Sequence, residues 1–200
     1  PLDDTGPIEI LVVGGSQGAS IFATAVPAAL ASLPPALRAR LRVTQQCRKE
    51  GIDKARKGYE EAGIAATLST FFDDIPRLLA AAHLVICRAG ASTTAELTSA
   101  GRPAILVPYP HAIDDHQTIN AARLCDSGGA WMIPDRDFSP DALAVRLVTL
   151  LSTDSTLEMA GRCAAKVGMP EATARLADVV AGVIGSNGDS ARENLPEQAA

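Results

Sequence analysis

Aromatic side chains are scarce in this chain: four Phe, two Tyr and one Trp make up 4% of its 200 residues, while 47% are hydrophobic. An all-β sandwich draws more heavily on aromatic and β-branched residues, so the shortage favours layered helices and strands rich in Ala, Leu and Val. No Lys/Arg cluster offsets the formal net charge of −5, which argues against a nucleic-acid partner. Cys47, Cys87, Cys125 and Cys163 form no CxxC pair, so neither a zinc site nor a disulfide framework is indicated. They read as thiols of a reducing cytoplasm. No apolar run reaches the roughly 18 residues of a membrane-spanning helix, and no signal peptide opens the chain. The opening segment, residues 1–7, reads as a linker feeding a strand, with further chain expected upstream. Size is what remains: this length can bury the core of one substantial domain or two small ones.

Strand-like and helix-like segments alternate. "IEILVVGG" (8–15) is a nearly continuous apolar run ending in glycines, as expected of a strand buried on both faces. "SQGASIFATAVPAALASL" follows at helical spacing and is closed by Pro34-Pro35. "ARLRVTQQC" reads as a second strand, "RKEGIDKARKGYEEAG" as a charged, solvent-facing helix and "IAATLSTFF" as a third strand. A short helix "IPRLLAAA", a strand "HLVICRAG" and a helix "STTAELTSAG" come next. Then follow a strand "PAILVPYP", a loop, the helix "DDHQTINAARLCDSGG" and a last short strand "AWMIPDRD". "SPDALAVRLVTLLST", "STLEMAGRCAAKV" and the proline-started "MPEATARLADVVAGVIG" read as closing helices. The alternation predicts an α/β fold, a doubly wound parallel sheet of about six strands with helices on both faces and ligands at the carboxyl ends of its strands. One domain is expected over 8–185, after a linker (1–7) and before a polar tail (186–200) expected to be disordered.

Three strand-to-helix turns carry the chemistry. In "GGSQGA" (14–19), glycines permit positive φ and close backbone approach, and amides at a helix start attract an anion. The turn matches neither GxGxxG nor a P-loop, so bare turn geometry and phosphate or sugar contact are equally good readings of it. In "CRAGASTTAEL" (87–97), Gly90 and Ala91 leave the backbone open. Ser92, Thr93 and Thr94 can cap the helix or offer hydroxyls and amides to a diphosphate. Glu96, expected in the first helical turn, completes a capping box or takes the two hydroxyls of a ribose. Arg88 can pair with phosphate or with an acidic neighbour. In "PYPHAIDDHQTINA" (108–121), Asp114 or Asp115 is expected to cap a helix, and Gln117 can donate its amide to a sugar. The adjacent Asp-Asp-His lacks metal-coordinating spacing, and no Asp-x-Asp dyad is read as a Mg²⁺ site. His83 precedes a core strand and reads as structural. Ser16 lacks a nucleophile elbow, and His111 and His116 have no evident nucleophile to activate.

Taken together, "VVGGSQGA", "FFDDIPRLLAAAHLVICRAGASTTAEL", "GRPAILVPYP" and "DDHQTINA" resemble, in order and spacing, the carboxyl-terminal half of the MurG family, over about residues 8–185. These bacterial transferases move N-acetylglucosamine from UDP-N-acetylglucosamine (UDP-GlcNAc) to lipid I, making lipid II for peptidoglycan. The resemblance implies one half of a GT-B fold, a Rossmann-like domain holding the donor across a cleft from an amino-terminal domain. It implies donor contacts from Ser16, Gln17 and Gly18 in the glycine turn, from the Phe72 backbone at the uracil, and from Arg88 beside the nucleotide. Gly90, Ala91, Ser92, Thr93, Thr94, Ala95 and Glu96 match the segment around the diphosphate and ribose, with Glu96 on the ribose hydroxyls. His116 and Gln117 match the polar pair that meets the sugar.

The resemblance places no catalytic residue, metal or cofactor in this chain. The family's "GGTGGH"-like loop, its histidine proposed as base, and the apolar, basic surface that meets the membrane and lipid I belong to the amino-terminal domain, which has no match here. The chain alone is therefore expected to bind UDP-GlcNAc and transfer nothing. The full-length enzyme is expected in the cytoplasm, peripheral on the inner membrane. "QQC" (45–47) departs from a common histidine-glutamine pair, and His116 stands where a glutamine often sits. Two alternatives stay open: half of another GT-B UDP-sugar enzyme, and a stand-alone binding subunit that needs a partner chain.

Overall fold

A computed structural model describes residues 6–15 and 19–192. The chain divides into two compact units, Pro1–Gly168 and Met169–Ala200. In the first, six strands form one sheet: β1 (Ile8–Val13), β2 (Leu41–Gln46), β3 (Ala65–Ser69), β4 (Leu84–Cys87), β5 (Ala104–Leu106) and β6 (Ala130–Met132). Every pairing is parallel and the order is β3-β2-β1-β4-β5-β6, with Ile10 facing Val43 on one side and Leu84 on the other. This is the doubly wound sheet that the alternation predicts.

Helices cover both faces: α1 (Phe22–Ala31), α2 (Pro35–Arg38), α3 (Ile52–Ala62), α4 (Ile75–Ala81), α5 (Ala91–Ala100), α6 (His116–Asp126), α7 (Pro140–Leu151) and α8 (Asp154–Val167). Side chains alternate across a strand, so β1 feeds two cores at once. Ile8, Ile10 and Val12 join Phe22, Val26 and Leu30 of α1, Tyr59 of α3 and Leu143 and Leu147 of α7. Leu11 joins Leu79 of α4, Leu97 of α5, Leu124 of α6 and Ala164 of α8 on the opposite face. Gln45, in the "QQC" stretch, is fully buried and accepts the Tyr59 hydroxyl at 2.5 Å, so it belongs to the core.

The boundaries differ from expectation where proline or local turns intervene. Pro34-Pro35 ends one helix and also starts the one-turn α2, because proline at the first helical position has no amide to leave unsatisfied. The segment read as a last strand over 130–137 pairs only through Met132; beyond Pro134 it coils into a 3-10 turn, Asp135–Asp137.

The second unit contains α9 (Ala172–Arg192). It begins two residues after the proline expected to start it and continues past Gly185, so the expected tail is helical as far as Arg192. No proline interrupts the sequence before Pro196, and weak helix formers alone do not stop a helix. Residues 193–200 lie outside the described residues. Leu176, Val179, Val180, Val183 and Ile184 of α9 recur at helical spacing and are exposed.

Candidate functional site

In a sheet of this order, β1 and β4 are neighbours whose outgoing connections run to opposite faces, and a crevice opens between them at the carboxyl ends. A cavity of about 670 Å³ occupies that place. Gly14, Gly15, Ala19 and Ser20 line it from the turn after β1, and Arg48 from the turn after β2. Arg88, Gly90, Ala91, Ser92 and Thr93 contribute from the β4–α5 turn, and Tyr109 and Gln117 from the β5–α6 segment. Gly15 holds φ of +78°, a left-handed conformation that glycine adopts without strain. Ser16, Gln17 and Gly18 lie outside the described residues.

The start of α5 is bare. Gly90 is the N-cap, at φ −65° and ψ 152°, and no side chain caps the helix. The Thr94 hydroxyl turns back to the carbonyls of Gly90 and Ala91, at 3.2 and 3.0 Å. The first intrahelical bond is Thr94 N–H to the Gly90 carbonyl, 2.9 Å. The amides of Ala91, Ser92 and Thr93 precede it and have no carbonyl one turn back to reach, and all three residues line the cavity. A Ser/Thr cap and capping box are therefore not formed. Glu96 is the sixth residue of α5, beyond the first turn, because the helix starts at Ala91. It is exposed, and it adds to the burial that pushes the Cys87 thiol up to about 12.

Arg88 pairs with an acidic neighbour, the second of the two roles open to it. Its Nη1 lies 2.5 Å from Asp135 Oδ1 and donates to the carbonyls of Val107 and Pro108 at 3.1 and 3.2 Å. Its guanidinium sits 5.3 Å from the ring of Phe22 and 5.6 Å from that of Tyr109. The side chain thus ties the end of β4 to the end of β5 and to the 3-10 turn at Asp135. That turn holds the one Asp-x-Asp of the sequence; its other carboxylate, Asp137, lies 3.5 Å from Arg136.

Gln117 is a second tie. Its Oε1 accepts the amides of Ala89 (3.1 Å) and Tyr109 (3.0 Å), which fixes the orientation of the side chain and leaves its NH₂ group to serve as donor. Asn120 Nδ2 donates to the Ala89 carbonyl at 3.1 Å. The turn before α6 is strained: Asp114 and Asp115 hold φ of +52° and +50°. Asp115 is the N-cap of α6 but makes no side-chain cap, since its carboxylate accepts the Thr118 hydroxyl at 2.7 Å instead. His116 is exposed, with Nδ1 2.8 Å from the Ile113 carbonyl. His83 lies at the amino end of β4, where Nδ1 accepts the Glu9 amide at 3.0 Å, a structural role as expected.

Of the residues named from sequence, Arg88, Gly90, Ala91, Ser92, Thr93 and Gln117 meet at one cavity. Thr94, Ala95 and Glu96 of α5 and His116 of α6 are not among its lining residues, and Phe72 follows β3 at the sheet's edge. Arg48, outside every motif, and Tyr109, inside the third turn but given no role there, are also cavity residues, and each follows the carboxyl end of a strand, the position that doubly wound sheets reserve for ligands. Among the described residues of the lining there are two arginines and no carboxylate, histidine or cysteine. Amide donors at a helix start, the positive end of its dipole and arginine suit an anionic, phosphate-bearing ligand.

A family model described as "Glycosyltransferase family 28 C-terminal domain" matches residues 9–176. The chain is 56% identical over 179 residues to a protein of Paramagnetospirillum magneticum (strain ATCC 700264 / AMB-1), across 90% of this chain and 48% of that protein. That relative is named "UDP-N-acetylglucosamine--N-acetylmuramyl-(pentapeptide) pyrophosphoryl-undecaprenol N-acetylglucosamine transferase". A relative of the same name from Zymomonas mobilis subsp. mobilis is 50% identical across 99% of this chain and 49% of its own length. Among solved structures, the crystal structure of Acinetobacter baumannii MurG superposes with a TM-score of 0.81 at 32% identity, over 91% of this chain and 54% of that one. WaaG, a glycosyltransferase involved in lipopolysaccharide biosynthesis, shares the fold at 22% identity and a TM-score of 0.58 over 82% of this chain and 43% of its own. The chain spans about half the length of the curated relatives it matches.

Proposed function

Because the chain belongs to the glycosyltransferase family 28 C-terminal domain family, we propose that it is the donor-binding half of an inverting transferase that moves N-acetylglucosamine from UDP-GlcNAc to lipid I. The observation that carries this reading is the uncapped start of α5, opening on a cavity at the crossover point of the sheet. The diphosphate lies against the amides of Ala91, Ser92 and Thr93, with Gly90 leaving room for close approach. Ser16, Gln17 and Gly18 are kept as donor contacts on the family resemblance, and Gly14, Gly15, Ala19 and Ser20 of the same turn line the cavity. Thr94, Ala95 and Glu96 continue toward the ribose, whose hydroxyls Glu96 takes. Phe72 offers its backbone to the uracil, and Gln117 and His116 face the sugar. Arg88 serves the nucleotide by holding the rim.

Transfer needs a base and an acceptor site, which this reading assigns to the remaining half of the protein. There the acceptor hydroxyl loses its proton and attacks the anomeric carbon from the face opposite the diphosphate, so configuration inverts and UDP departs. This half stabilises the charge that gathers on the departing diphosphate through fixed amides and the helix dipole, which need no reorganisation at the moment of reaction. Lipid I draws the full-length enzyme to the cytoplasmic face of the inner membrane; no helix among the described residues is long and apolar enough to cross one.

Calorimetric titration with UDP and then UDP-GlcNAc tests the proposal. Binding of both is expected, with UDP-glucose and UDP-galactose weaker than UDP-GlcNAc. An absence of heat with millimolar UDP would reject the donor site. Unchanged affinity in Glu96→Ala would remove Glu96 alone from it.

A further inference from the structure

The lining of the cavity poses a question of charge. A nucleoside diphosphate brings two or more negative charges into a chain whose own net charge is −5. Two cations line the site. Arg88 is largely buried and holds the rim together through Asp135 and two carbonyls. Arg48 is exposed and lines the cavity. On the donor-site reading above, we propose that Arg48 is the side chain that meets the diphosphate, a contact that none of the sequence motifs assigns.

Arg48 is presented by a built turn. It follows β2 at the carboxyl edge of the sheet, where the preceding Cys47 amide donates to the Ser69 carbonyl at 2.9 Å. The Arg48 carbonyl accepts the Gly51 amide at 2.9 Å, closing the turn into α3. Gly51 presses that turn against α1: a Cβ there would stand 2.9 Å from the Ala23 Cβ, so the close approach needs glycine. The backbone is thus held from β3 and from α1 while the side chain reaches the cavity. The same cavity is lined by the uncapped start of α5 and by the glycines after β1. An arginine there supplies a full charge that fixed amides lack, and its planar fork matches two phosphate oxygens.

Titrating the chain with UDP and with uridine, for wild type, Arg48→Ala and Arg48→Lys, tests the assignment. Arg48→Ala should weaken UDP about tenfold, as expected for loss of one charge-assisted contact at a partly solvated site, and change uridine by less than about twofold. Arg48→Lys should recover only part of the UDP affinity, since it restores the charge without the fork. Wild type that binds UDP while Arg48→Ala binds it equally well overturns the inference and leaves the donor site standing. Equal losses for UDP and uridine also overturn it, because the effect is then on the base or the fold. Failure of wild type to bind UDP overturns both.

Discussion

Removing the Asp135 carboxylate asks how much of the rim depends on one ion pair. Oδ1 lies 2.5 Å from Arg88 Nη1, and the two side chains are 23% and 12% exposed. Asp135→Ala leaves a guanidinium that still reaches the Val107 and Pro108 carbonyls and still packs against Phe22 and Tyr109. Breaking a fully buried pair from one side costs about 3–5 kcal/mol, and breaking an exposed one less than about 1. The retained carbonyls and the residual solvent contact put this pair between them, at about 2 kcal/mol. Each kcal/mol lowers the Tm of a domain this size by about 2–4 °C, so a fall of about 4–8 °C is expected. Asp135→Asn keeps an acceptor without the charge and should lose about half as much. Fluorescence of the single Trp, Trp131, reports the melting of the sheet-bearing unit, because that residue packs against its core. A double-mutant cycle with Arg88→Ala should return a coupling of about 1–2 kcal/mol. A Tm within about 1 °C of wild type for Asp135→Ala, or strictly additive single effects, would show that Arg88 does not depend on this partner.

Three further outcomes follow from the packing. Leu97 anchors α5 and is wholly buried, so Leu97→Ala should cost about 2–5 kcal/mol in urea unfolding, and a loss below about 1 would mean that the helix is seated by other side chains. Burial lowers the His83 pKa from its ordinary 6.5, so the folded chain binds fewer protons there than the unfolded one. That contribution to stability is complete above about pH 6.5 and is lost as pH falls from there toward the folded pKa; the acid-side decline in Tm should be shallower in His83→Gln, and parallel profiles would contradict the assignment. Cys87, pushed up to about 12 chiefly by burial and then by Glu96, should resist iodoacetamide at about pH 8, while the half-buried Cys163 labels sooner; peptide mass spectrometry that finds Cys87 labelled first would contradict this.

Much of this architecture is written locally. A run such as Ile8–Val13 offers apolar side chains to both faces, so it has to sit in a covered parallel sheet, and the alternation with helices then leaves few topologies. The carboxyl-end rule brings the three motif-bearing turns to one edge without any knowledge of contacts. Bonds between residues far apart in sequence are different. Arg88 and Asp135 are 47 positions apart and Asn120 and Ala89 are 31, and no local pattern marks either pair. The cap of α5 is open to two readings in sequence because Ser and Thr are good caps wherever a helix begins. Tertiary ties at Ala89 put Gly90 at the cap position instead, and Thr94 turns its hydroxyl to the carbonyls behind it. The positive φ values at Asp114 and Asp115 likewise follow from the path the chain must take between β5 and α6, which composition does not reveal.

These long-range bonds also explain the polarity of the site. Arg88 occupies the carbonyls of Val107 and Pro108, Asn120 that of Ala89, and Thr94 that of Gly90. The side-chain oxygen of Gln117 is taken by two backbone amides. Around the rim, acceptors are consumed within the protein while the amides of Ala91, Ser92 and Thr93 and the NH₂ of Gln117 remain as donors. Satisfying the acceptors internally holds the loops rigid, and the same bonds leave a surplus of donors facing one cavity. An anion can use that surplus without protein reorganisation, whereas a cation would meet few acceptors there. Rigidity and anion preference in this fold are therefore one consequence of where the carbonyls find their partners.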